Sequence, residues 1–323
     1  MMALVLVALI AGAASALMFA SAASGVAISI ILVYLAPLPL MVVALGWGAF
    51  CASLGGIAAA ISLGAIFGLR YGSAFAVAIA LPAWWLGHLA LLGRHSPNAG
   101  PADAAVPIEP EIEWYPVGRI LPWIAAFAAL IPIAALLNLG TNAEDITGAL
   151  RDGFLRILKS AAPQSSAEID SLIDVLVAIA PPLATILLMM TLTFNLWLSA
   201  KLTAISGRLC RPWPDLMSIQ LPTMTLVVLC IAIAFCFTGG LAAILARIVT
   251  ASLTVAYALT GFAVLHTLTL TLKSRAFWLG STYAIVFALG WPVAAMVILG
   301  LADAIFGVRE RFLRSQPPPQ PTT

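Results

Sequence analysis

Charge is what this chain has least of. Lys, Arg, Asp and Glu together supply 9% of its 323 residues, too few to cover the surface of a water-soluble fold. A globular domain in water is therefore excluded. Cysteine is scarce too. Cys51, Cys210, Cys230 and Cys236 form no CxxC pair, and three of them sit within apolar runs, where they read as small buried hydrophobes rather than disulfide or metal ligands. The histidines, His88, His95 and His266, are scattered, and without HExxH or a His/Cys cluster no metal site is expected. There is no GxxxxGK[ST] phosphate loop, so any ATP hydrolysis has to come from a partner. No Ser/His or paired-carboxylate set stands at membrane depth, and the chain is expected to be neither an enzyme nor a cofactor carrier. Acids number 13 against 15 basic residues and are absent from the first four spans: Asp103 is the first carboxylate, and the later ones fall at span ends or in loops. Ion-coupled transporters generally place ionisable groups near the membrane midplane, so secondary active transport is disfavoured.

What fills the chain instead is apolar. Hydrophobic residues make up 63% of it, with a mean hydropathy of +1.09. Apolar runs of the roughly 20 residues that cross a hydrocarbon core as a helix recur along most of its length. They run unbroken rather than alternating, which rejects a transmembrane β-barrel. The expected fold is all-α, a polytopic transmembrane helical bundle of about eight to ten membrane passes with one amphipathic extramembrane insert. Spans are predicted over 2–23, 27–47, 49–69, 73–93, 118–138, 172–200, 221–238 and 249–271. A final run, 276–306, is too long for one pass and is broken at Gly290-Trp291-Pro292, giving a kinked span or a helical hairpin. The regions are then 1–94, an N-terminal four-span part; 95–117, an acidic Pro-rich linker carrying Asp103, Glu109, Glu111 and Glu113; 118–308, a C-terminal membrane part with the insert 139–171; and 309–323, a disordered tail containing Pro-Pro-Pro. In the insert, Ile146, Leu150, Phe154, Leu155 and Leu158 are spaced among charges as an amphipathic helix, which would lie on the membrane surface or cap the mouth of a cavity.

A few residues break the apolar background. Ala8, Gly12, Ala16 and Ala20 recur every four positions, the spacing at which two membrane helices approach closely; they pack within the protein or dock a partner through Ala16 and Ala20. A second series, Gly48, Ala52, Gly56, Ala60, Gly64 and Gly68, predicts a packed face on the third span. Pro37 and Pro39 remove two backbone donors within the second span, so an unwound or kinked turn is expected there, of the kind that lines cavities or is buried as a plain kink. Trp84 and His88 share a helix face, reading as interfacial aromatics or as one wall for a flat heteroaromatic ligand. The sixth span is interrupted early by Pro181 and Pro182 and ends in Asn195, Trp197 and Lys201. The Asn195 amide needs partners in hydrocarbon, from another helix or from a ligand. Beyond it, Arg211-Pro212-Trp213-Pro214-Asp215 is a stiff extended loop, either a docking patch built on Arg211, Trp213 and Asp215 or a turn whose tryptophan lies in the headgroups. The positive-inside rule is best met with the N-terminus in the cytoplasm, which puts Arg94, Arg119, Lys201, Arg208, Arg211, Lys273 and Arg275 inside and Arg70, Arg151, Arg156, Lys159 and Arg247 outside.

Six short motifs in order, Ala-Pro-Leu-Pro-Leu (36–40), Leu-Pro-Ala-Trp-Trp-Leu-Gly (81–87), Asn-Leu-Trp-Leu (195–198), Arg-Pro-Trp-Pro-Asp-Leu (211–216), Ala-Val-Leu-His (263–266) and Gly-Leu-Ala-Asp (300–303), resemble the YybS-like family of uncharacterised bacterial membrane proteins. That family is distantly similar to the S-components of energy-coupling-factor vitamin transporters. The resemblance implies a bacterial inner-membrane protein, a bound vitamin-like solute, and partner membrane subunits with an ATPase, docked in that group through an Ala-xxx-Ala face that Ala16 and Ala20 match. The chain is longer than an S-component, its extra spans and the 139–171 insert have no counterpart there, and it carries no vitamin signature. Two readings follow. One is a solute-binding membrane component with Pro37, Pro39, Trp84, His88, Asn195 and Trp197 around the ligand. The other is a structural or assembly membrane protein whose 211–215 loop recruits a cytoplasmic partner. The lipid bilayer is a partner in both, and nucleic acid in neither.

Overall fold

A computed structural model of the chain describes residues 1–95, 112–161, 167–215, 217 and 219–314. The helices are α1 (Met2–Ala20), α2 (Ala27–Leu35), α3 (Pro37–Trp47), α4 (Ala49–Phe67), α5 (Leu69–Phe75), α6 (Leu81–Ala90), α7 (Val117–Leu137), α8 (Ala143–Ala161), α9 (Ala167–Ile205), α10 (Thr223–Phe235), α11 (Gly240–Leu268), α12 (Arg275–Leu289), α13 (Val293–Phe306) and α14 (Val308–Arg314). The architecture is an all-α helical bundle. One small departure is an antiparallel pair of three-residue strands, β1 (Gly93–His95) and β2 (Ile112–Trp114), which ties the two ends of the linker together; most of that linker lies outside the described residues.

Among the described residues, seven helical stretches are long and apolar enough to cross a membrane: 2–24, 27–47, 49–67, 69–90, 117–137, 170–205 and 240–268. Their outward faces carry large apolar side chains such as Leu69 and Ile10, which only a lipid surround stabilises. This is an integral membrane protein. The run predicted at 221–238 forms only α10, whose 13 residues span about 20 Å at 1.5 Å each. The last run is broken where expected, at Gly290 with φ +71, into α12 and α13. The eighth predicted span starts nine residues early, at Gly240, so Arg247 lies within a helix rather than before one. The tail boundary at 309 also moves. Residues 308–314 are helical and Arg309 is buried, because its guanidinium is held by the chain, as described below; 315–323 lie outside the described residues.

Two compact units divide the chain, and neither follows chain order. The first comprises Met1–Ile124 and Met190–Pro214, the second Ala125–Met189 and Asp215–Thr323. In the first, α1 crosses α4 where small residues meet: a Cβ added at Gly12 would strike the Gly55 carbonyl, and one at Gly55 the Ala8 carbonyl. Helix α4 is bracketed by Gly48 (φ +96) and Gly68 (φ +95), conformations open to glycine and strained for other residues. These two members of the predicted packed series are therefore helix ends, whereas Ala52 and Gly56 are buried. In the second unit, α11 packs on α13 with equal intimacy, since a Cβ on Gly261 would meet the Met296 carbonyl and one on Gly300 the Tyr257 carbonyl. Among the cysteines only Cys51 is buried; Cys210 and Cys230 are exposed and Cys236 intermediate. The expectation of buried cysteines fails at Cys230 because an apolar helix in lipid has no need to turn its small residues inward.

Candidate functional site

The first unit holds most of the residues singled out in the sequence. Helix α3 begins at Pro37, and Ala36 before it keeps right-handed helical angles. The chain there is kinked, not unwound. Prolines 37 and 39 deprive the preceding turn of two N–H donors, and two polar side chains from other helices close on it: Ser15 Oγ donates to the Ala36 carbonyl, and Asn195 Nδ2 donates to the Tyr34 carbonyl at 2.8 Å and to Thr191 at 2.8 Å. Asn195 is 1% exposed, so its amide bonds another helix. Its Oδ1 is buried without a donor. Trp197, two residues on, is 44% exposed and lies against Phe194.

Trp84 and His88 stack with ring centres 6.3 Å apart and planes 15° apart. Trp85 reaches the same imidazole at 6.0 Å, and Trp123 meets Trp85 edge-on at 5.1 Å. Three indoles and one imidazole thus form a cluster between α6 and α7, with Trp85 Nε1 buried and unpartnered. Ala16 is buried and Ala20 half-buried against their own chain; the small-residue stripe is used inside the protein.

The 211–215 loop is fastened at one end of this unit. Arg211 Nη1 donates to the Ala90 carbonyl at 3.1 Å, neutralising the negative C-terminus of α6; partial burial of the guanidinium lowers its pKa from the ordinary arginine value. Lys201 Nζ sits 5.0 Å from the Trp213 ring centre and Arg208 lies 4.8 Å from that of Trp47, both cation–π contacts. Trp213 remains 43% exposed. Asp215 accepts from the Met217 N–H at 2.9 Å.

A cavity lies elsewhere, wholly within the second unit. It measures about 510 Å³ and is walled by α8 through Glu144, Thr147 and Arg151, by α9 through Asp174, Val177, Ala178, Pro181 and Pro182, and by α11 through Ile244 and Arg247. Local chemistry builds each wall. Asn142 Oδ1 caps α8 by accepting from the Asp145 N–H at 2.8 Å, and Glu144 and Asp145 in the first turn suit its positive end. The apolar side of α8 is buried against α7 and α11, with Ile146 0% exposed beside Ala129, Leu136 and Ile248. The polar side of α8 contributes a wall of the cavity. Arg151 donates to Asp174, tying α8 to α9; that hydrogen bond first and the carboxylate's charge second raise the Arg151 pKa above its ordinary value. Pro181 and Pro182 lie inside α9 without ending it. Having no N–H, they cannot donate to the carbonyls of Val177 and Ala178, and all four residues line the cavity. The signal was in the sequence as two adjacent prolines followed at a distance by Arg247, but the prolines read only as an interruption and Arg247 as a loop residue. Among the described residues no three His, Cys, Asp or Glu side chains gather where a metal could be held.

A second feature escaped the sequence reading. Asp303, at the end of α13, is 8% exposed and Arg309, on α14, is 3% exposed. Arg309 Nε and Nη2 donate to Asp303 Oδ2 at 2.8 and 2.6 Å, while Nη1 and Nη2 donate to the Met217 and Ile219 carbonyls at 2.6 and 2.7 Å. The expectation that acids stand only at span ends or in loops holds for position and fails for burial. The residue is at a helix end, and Arg309 makes its burial tolerable.

No protein-family model matches the chain, and neither a curated protein nor a solved structure matches it.

Proposed function

We propose that this integral membrane protein is a small-molecule-binding membrane component of a transporter powered by separate subunits. The observation that carries the reading is the cavity of about 510 Å³ at the Pro181-Pro182 site of α9. Its size is that of a pocket for a vitamin-scale solute, and proline-interrupted helices with charged neighbours are how membrane proteins build solute sites. With the N-terminus in the cytoplasm, as the positive-inside rule favours, α8 and its cavity face the outer side, where an imported solute arrives. On this reading α10, α12 and α13 complete eight to ten passes. The ordered motifs from 36–40 to 300–303 support placing the chain in the YybS-like family. Native mass spectrometry of the protein extracted in lipid tests the proposal, because it reports solute and subunits together. A retained small-molecule adduct with co-purifying subunits is expected; an empty, solitary chain overturns it.

A second reading, a structural or assembly protein recruiting a cytoplasmic partner, is favoured by Trp213. Its ring stays exposed while Lys201 and Arg211 fasten the loop beneath it, a stiff aromatic of the kind that anchors interfaces. A photo-cross-linker at position 213 that captures nothing specific in cells counts against it.

A further inference from the structure

The charges in the cavity wall narrow the class of solute, on the strength of the solute-binding reading above. Four ionisable residues stand in the wall: Glu144, Arg151, Asp174 and Arg247. Arg151 and Asp174 neutralise one another. That leaves Glu144 on α8 and Arg247 on α11, of opposite sign and each without an ion pair among the described residues. Most of the remaining lining is apolar, made by Leu150, Val177, Ala178, Pro181, Pro182 and Ile244, with Thr147 and Gly148 beside them. The Val177 and Ala178 carbonyls add acceptors that the prolines cannot serve.

A solute with a single anionic group would satisfy Arg247 and meet Glu144 with like charge. A single cation would do the reverse. A neutral solute would displace water from both charges and replace it with nothing. We propose that the cavity takes a zwitterion, its anionic group on Arg247, its ammonium on Glu144 and the α9 carbonyls to which the prolines cannot donate, and a short apolar body between. A free amino-acid-like solute and the headgroup of a zwitterionic phospholipid share this chemistry.

The test uses the full chain in nanodiscs of phosphatidylglycerol, titrated calorimetrically with unbranched ω-amino acids from glycine to 6-aminohexanoate, and with butyrate and butylamine. One chain length is expected to bind best, with the mono-ions weaker by about tenfold or more, the worth of one charge-assisted contact. Arg247→Gln should abolish binding. Glu144→Gln should lose the amino acid yet bind butyrate more tightly than the parent does, an exchange that damage to the fold cannot produce. Both side chains sit on exposed residues, so unchanged melting temperatures are expected. A second set of nanodiscs containing phosphatidylethanolamine separates the sources: a lipid retained by the parent and lost by Arg247→Gln assigns the zwitterion to the bilayer. If butyrate binds the parent as well as any ω-amino acid and Arg247→Gln removes it, the zwitterion is refuted and a solute cavity stands. If no probe binds and no phosphatidylethanolamine is retained, both fall.

Discussion

Removing Arg309 should unfasten the end of the second unit. Its guanidinium makes two bonds to Asp303 Oδ2 and one each to the Met217 and Ile219 carbonyls, and its backbone N–H donates to Asp303 Oδ1 at 2.9 Å. With 3% and 8% exposure, neither partner can fall back on water. Arg309→Met leaves Asp303 Oδ2 and two carbonyls without donors, and a buried charge with only the backbone N–H on Oδ1; breaking a buried pair in this way costs about 3–5 kcal/mol. At about 2–4 °C per kcal/mol for a unit of this size, the midpoint of thermal unfolding in nanodiscs, followed by tryptophan fluorescence, should drop by roughly 6–20 °C. Arg309→Lys keeps the charge but one ammonium replaces a planar fork that reaches three oxygens, so its loss should be smaller and still clear. The double variant Asp303→Leu/Arg309→Met removes both charges and should be more stable than either single change, because no charge is left stranded. Single variants within about 0.5 kcal/mol of the parent, or a double variant as costly as the two singles together, would refute the clamp.

Three further outcomes follow from other contacts. Gly300→Ala places a methyl against the Tyr257 carbonyl, so α11 and α13 must separate; a loss of about 1–3 kcal/mol is expected, measurable in the same unfolding assay. Asn195→Leu removes the bond to the Tyr34 carbonyl and should cost about 1 kcal/mol without altering assembly; a larger loss, with Tyr34 and its neighbours exchanging hydrogen rapidly, would mean the kink depends on this amide alone. The Arg94 hydrogen bond first and its charge second hold the Glu113 pKa below the ordinary carboxylate value. The pair therefore supports the β1–β2 hairpin above the unfolded glutamate value of about 4.3 and releases it as pH falls through the lowered folded value. The protection of the amides at 93–95, measured against the intrinsic exchange rate at each pH, should fall on acidification in the parent and show no such step in Glu113→Gln.

The membrane helices were legible because hydrocarbon imposes one rule: every backbone bond must be made within the segment, and about 20 apolar residues do so. The limits of the elements were harder to read where charge stood inside a helix. Arg247 looked like the residue before a span, yet α11 begins at Gly240 and carries that side chain in the wall of a cavity. The opposite error occurred at 221–238, where an apolar run suggested a full pass and the helix runs only from Thr223 to Phe235; apolarity licenses burial in lipid without fixing helix length. Asp303 shows a third case. Its neighbours Gly300 and Ala302 mark a packed helix end, but nothing local says that Arg309 turns back across Gly307, at φ +61, to meet it. Burial of a charge is a property of the pair, and the pair exists only after the turn is made.

The two proline pairs carry the same local signal and end differently, and the difference locates the site. Pro37 and Pro39 cannot donate to the Val33 and Leu35 carbonyls; the Val33 carbonyl is taken by the Ala36 N–H at 3.2 Å, and the neighbouring Tyr34 and Ala36 carbonyls receive side-chain donors from Asn195 on α9 and Ser15 on α1. The disturbance is closed by helix packing and leaves a kink. Pro181 and Pro182 disturb a turn whose neighbours are α8 and α11, and the side chains those helices offer there are Thr147, Arg151, Ile244 and Arg247. Arg151 is taken up by Asp174, so the space beside Val177 and Ala178 stays open. A proline pair in a membrane helix thus creates acceptors in either case. In this chain side chains of neighbouring helices brace the first pair, whereas the second pair borders open space, and on that difference rests the placement of the proposed solute site.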